Sequence, residues 1–159
     1  MFKIAKLCHL IGLVMLLGGI LGSVVLNAVV GGSTDSVLLH HQRQFVSGLT
    51  WALTLPGMWI AILTGLIMVG IRKYNLRRTW WLTIKAALAV VIVINAVVVL
   101  TPLVSEITSL AAQSALQGTL LTDYLPLKRR EDLFGTVNFC LILIVIGLAV
   151  FKPGRKNVP

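Results

Sequence analysis

His9 and Lys85 are the two ionisable side chains that fall inside long apolar runs of this 159-residue chain. Burying such groups in lipid is costly, so each is a candidate for chemistry. His9 lies about one turn into the first run and Lys85 one to two turns into the third. At about 1.5 Å of rise per residue they reach a common depth, where an imidazole can ligate a metal and an ammonium can pair with a carboxylate. Met68, near the end of the second run, reaches the same depth and offers a thioether as a second iron ligand. Each has a structural alternative: helix packing for His9 and Met68, and for Lys85 a stem that snorkels to the nearby interface.

Other polar residues carry weaker chemistry. His40 and His41 are adjacent and flanked by Arg43, expected in a loop on the outer side, where they could capture copper. They are separated from His9 by roughly 20 Å or more of bilayer, so they cannot share a haem with it. Asn95 and Asn138 are expected at one depth, bridging the third and fourth runs by a hydrogen bond. Cys8 and Cys140 lie in apolar runs near opposite faces, too far apart for a disulfide. No HExxH, phosphate loop or serine-nucleophile motif occurs in the apolar runs.

The elements that position these residues follow from composition. The chain is 57% hydrophobic and 12% charged, with a mean hydropathy of +0.95, far from the roughly 25% charge of a soluble domain. Runs free of charge extend over 7–33, 44–71, 86–105 and 133–151. Lipid offers no partner for backbone amides, so runs of this length cross as helices. The pattern predicts an all-α membrane protein, a four-transmembrane-helix bundle in one domain over 1–159, with spans at 5–30, 47–71, 79–102 and 133–151. Residues 7–30 exceed the h-region of a secretory signal and are read as a retained first helix.

Charge sets the expected orientation. Lys3, Lys6, Arg72, Lys73, Arg77, Arg78, Lys152, Arg155 and Lys156 gather on one side with no acid. All five acids, Asp35, Glu106, Asp123, Glu131 and Asp132, lie on the other with Arg43, Lys128, Arg129 and Arg130. Basic loops stay inside, so both termini are expected to be cytoplasmic, in the cell (inner) membrane. The net charge of +9 is therefore a topology signal rather than a nucleic-acid footprint. The lipid bilayer is the expected partner, with a homo-oligomer or a larger membrane complex left open. Trp80 and Trp81 read as interfacial anchors. Between the third and fourth spans, Val104, Ile107, Leu110, Ala111 and Ala115 recur at helical spacing until Gly118. They predict an amphipathic helix over 103–121 on the outer surface.

His9 shares a helix face with Gly12, Leu16, Gly19, Ser23 and Asn27. Its small residues suit either close helix packing or room for a planar cofactor. Lys6, Leu7, His9, Leu10, Ile11 and Gly12, then Gly18 and Gly19, resemble the start of HemJ-type protoporphyrinogen oxidases. Leu55, Pro56, Gly57, Met58, Gly65 and Leu66 are similar to their second helix, and Trp81, Leu82, Ile84 and Lys85 to the opening of their third. The resemblance covers about the first two thirds of the chain and implies haem b held by His9, an essential Lys85 and an oxidoreductase. Where those enzymes carry a histidine late in helix three, this chain has Ile94 and Asn95. Asn95 followed by Pro102 is more similar to the CopD-type copper-resistance membrane domain and to a related family of small predicted membrane proteins. The reading is membership of this superfamily. The expected function is haem-associated and redox-related, with copper handling or import, or an accessory membrane subunit, as alternatives.

Overall fold

The computed structural model describes residues 1–71 and 80–151. Four helices account for nearly all of them: α1 (Phe2–Val30), α2 (Ser36–Ile71), α3 (Trp80–Gln117) and α4 (Tyr124–Phe151). Each is long and apolar enough to cross a membrane. Among the described residues there is no β-strand. The helices pair as two antiparallel hairpins, α1 with α2 and α3 with α4. The beginnings of α1 and α3 and the ends of α2 and α4 therefore share one end of the bundle, labelled the inner end after the orientation that charge predicts; the opposite end, which carries the α1–α2 and α3–α4 connections, is labelled the outer end.

Two helices outrun the bilayer. The 36 and 38 residues of α2 and α3 correspond to more than 50 Å at about 1.5 Å per residue, against a hydrocarbon core of about 30 Å. The excess lies at the outer end, where Ser36–Leu49 of α2 packs along Thr101–Gln117 of α3. The predicted amphipathic helix over 103–121 exists, but it rises from the end of the third span instead of resting separately on the surface. Its apolar stripe Leu103, Ile107 and Ala111 closes on Leu39 and Tyr124. Gly118, at φ 69°, ends it in the left-handed region that favours glycine.

Both helices pass a proline without breaking. Pro56 and Pro102 each lie two residues beyond a π-helical turn, Thr50–Thr54 in α2 and Asn95–Leu100 in α3. Proline cannot donate to the carbonyl four residues back, and its ring crowds that carbonyl. Widening the preceding turn moves the bonding to the fifth residue: Leu55 N–H donates to Thr50 O, and Thr101 N–H to Ala96 O. Thr54 Oγ1 donates to Leu49 O and Thr101 Oγ1 to Ala96 O at 3.3 and 2.8 Å, adding donors to carbonyls at these turns.

His40, His41 and Arg43 fall on α2, which starts at Ser36, eleven residues ahead of the expected span start at 47, and not in a loop. The reason is local. Asp35 caps the helix, its carboxylate accepting from Val37 N at 2.9 Å and Leu38 N at 3.2 Å. Asp35→Ala is expected to cost about 1 kcal/mol, the usual worth of such a cap. Thermal unfolding of the purified variant measures it, with the first turn of α2 fraying ahead of the rest.

Candidate functional site

The residues around His9 come from α1 and α2. Their backbones meet at Gly12 and Gly57: a Cβ on Gly12 would stand 2.7 Å from Ala61 N, and one on Gly57 2.6 Å from Leu16 N. The small residues of the His9 face therefore serve close helix packing at these two positions. That approach brings His9 Nδ1 to 2.7 Å from Ala61 O and 3.3 Å from Thr64 Oγ1. A carbonyl only accepts, so Nδ1 must carry the proton, and the neutral ring's lone pair sits on Nε2. Gly65 adds clearance, since a Cβ there would lie 3.5 Å from His9 Cε1. An imidazole whose Nδ1–H is fixed by a backbone carbonyl is how metal-ligating histidines are commonly held.

Lys85 stands on α3, half-buried and within Coulombic reach of the His9 ring. Lys85 has no carboxylate partner among the described residues. All five acids of the chain belong to the outer end or its connections. Met68 lies on α2 seven residues beyond Ala61, on the same helix face, and is half-buried.

The hairpins are held together away from this level. In mid-bundle Leu16 and Met58 pack against Ile92, Ala96 and Ile142. Inward of that layer α3 and α4 bury nothing more: Ile92 is the one buried residue of Trp80–Ile94, and none follows Ile142 in α4 among the described residues, whereas Gly12 and Ala61 stay buried between α1 and α2. His9 and Lys85 therefore border the part of the bundle where the hairpins part.

His40 and His41 sit side by side on α2, with ring centroids 5.7 Å apart and tilted by 40°. Neighbouring positions on a helix point about 100° apart, a poor arrangement for one ion. His40 Nε2 lies 3.1 Å from Gln44 Nε2. No group of three His, Cys, Asp or Glu side chains gathers anywhere among the described residues. Asn95 does reach α4, but its Nδ2 donates to Phe134 O at 3.1 Å, one turn from Asn138, which is buried one helix away from it. A backbone acceptor on the facing helix takes the place of the expected amide pair. Cys8 and Cys140 are free thiols.

A second polar centre was not recognisable from the sequence. Arg43 is 0% exposed and donates from Nη1 and Nη2 to the two carboxylate oxygens of Glu131, at 2.9 and 2.8 Å. Lys128 Nζ is 3.6 Å from Glu131 and is also bonded to Asp132. The fork ties α2 to α4 across 88 residues of sequence. Charge counting places Arg43 and Glu131 in two different loops of the same side, and no motif marks a pair that far apart. Beside it, Gln42 Nε2 donates to Asn27 Oδ1 at 2.6 Å, tying α2 to α1.

Four apolar helices with a polar outer extension and a few buried polar side chains define a small multi-pass integral membrane protein. Residues 3–153 match a family model described as "Predicted integral membrane protein (DUF2269)", and the chain belongs to that family. No curated protein and no solved structure matches it.

Proposed function

We propose that the protein is a haem-associated, redox-related protein of the cell membrane, with both termini in the cytoplasm. The observation that carries this reading is the Nδ1–H···O=C bond from His9 to Ala61, which leaves Nε2 as a fixed donor in the half of the bundle where the hairpins part. The donor set fits haem: a neutral imidazole for the iron, and a cation with no acid of its own chain nearby for a propionate. Haem bound there supplies one-electron chemistry. The chain's own residues do the rest. Ala61 and Thr64 hold the imidazole in one tautomer, and Lys85 would pair with a propionate carboxylate. The orientation rests on the basic inner end, where Lys3 and Lys6 open α1 and no acid occurs. Met68 is the second-ligand candidate on α2.

Protein purified from membranes in mild detergent is expected to show a Soret band that His9→Ala abolishes. Lys85→Gln should keep the band and weaken haem retention by about tenfold, the worth of one partly buried charge pair. A preparation free of haem, or a band untouched by His9→Ala, overturns the proposal. Copper co-purifying in proportion to His40 and His41 would favour metal handling instead, and neither signal would leave an accessory subunit.

A further inference from the structure

The two proline-linked π turns occupy the same level in different hairpins. At their inner edge, Leu55 and Met58 of α2 meet Ile92 and Val93 of α3, with Ala96 of the second π turn, in one apolar layer. A π turn gives up regular bonding, and a following proline removes a further donor, so each is the softest point of its helix to bending. The neighbouring helices carry glycine at this level, the least helix-favouring residue after proline: Gly19 of α1 abuts Thr54, and Gly135 of α4 follows Phe134, whose carbonyl accepts from Asn95. The two π turns and these glycines fall in one slab of the molecule.

The slab separates two unlike halves. Outward, the hairpins are locked by the Leu39, Leu103, Ile107, Ala111 and Tyr124 cluster and by the buried Arg43–Glu131 fork. Inward, past the Ile92 and Ile142 layer, α3 and α4 contribute no buried residue among those described. Within the first hairpin, the inner arm is nonetheless stiff, because Gly12 and Gly57 bring α1 and α2 into backbone contact. We infer that Thr50–Thr54 with Pro56 and Asn95–Leu100 with Pro102 are a matched pair of hinges, about which the inner arms move while the outer extension stays closed. The motion changes the width of the opening between His9 on one arm and Lys85 on the other, which admits a ligand from the inner leaflet. It depends on the helices alone and stands whether or not that ligand is haem.

Electron–electron distance measurements in lipid nanodiscs test it, on full-length protein with Cys8→Ser and Cys140→Ala and paired spin labels. Leu7→Cys with Ile84→Cys reports the inner arms, and Val37→Cys with Leu116→Cys the outer extension; all four positions are exposed. The outer pair is expected to give one narrow distance, and the inner pair a distribution broader by about twofold or more, as arm motion requires. Pro56→Ala with Pro102→Ala restores the missing donors and should narrow the inner distribution while leaving the outer one unchanged. An inner distribution as narrow as the outer, or one unaffected by the proline replacements, overturns the inference. The comparison of the two label pairs needs no proline variant, so it decides even where the double variant does not fold.

Discussion

Glu131→Leu is expected to cost about 3–5 kcal/mol, because it leaves the wholly buried Arg43 guanidinium without its anion. Arg43→Met should cost roughly half as much, since the orphaned Glu131 keeps Lys128 at 3.6 Å. The double variant Arg43→Met/Glu131→Leu should recover most of the loss. Removing both charges together also removes the cost of holding them out of water. Denaturant unfolding of the three variants in one detergent measures this, and the ordering is the informative part. Small losses in all three would mean that the fork is solvated and contributes little.

The second large effect belongs to the contact between α1 and α2. Gly57→Val places a branched side chain where a single Cβ would stand 2.6 Å from Leu16 N, 2.7 Å from Gly12 O and 2.8 Å from Met15 Cβ. Two of these are backbone atoms, so the helices must separate, at about 1–3 kcal/mol or more for such overpacking. The same separation pulls Ala61 O from His9, so the fixed tautomer should be lost together with stability. Gly18→Ala is the control: nothing lies within 4 Å of its Cβ position, and the change should be neutral or slightly stabilising in the helix. Thermal stability and the nitrogen chemical shifts of the His9 ring separate the two outcomes. A wild-type-like Gly57→Val would show that the helices do not meet as closely as these distances require.

The spans were legible because lipid imposes one rule: long uncharged runs must become helices, and the four runs between charge clusters map onto α1 to α4. The helical face of His9 was legible too, because period and residue size point to a close partner; that the partner is α2 at Gly57 and Ala61 is a tertiary fact. Where α2 begins was not legible from hydropathy, which drops across His40, His41 and Arg43 although Asp35 caps a helix there. Arg43 looked like loop charge because its neutralising partner is 88 residues away. Pro102 looked like a boundary between a span and a separate surface helix because the π turn that absorbs it has no sequence period of its own. The depth of His9 and Lys85 followed from rise per residue. Whether the two side chains face one another depends on how two hairpins cross, which no local pattern encodes.

The measurement closest to the central claim is a haem titration of His9→Gly protein in nanodiscs, with and without free imidazole, beside the unmodified chain. The account expects one haem per chain and a Soret band for the unmodified protein, no band for His9→Gly, and its return when imidazole occupies the space of the missing ring. Identical spectra for the two proteins, or a His9→Gly band indifferent to imidazole, would contradict iron ligation by His9.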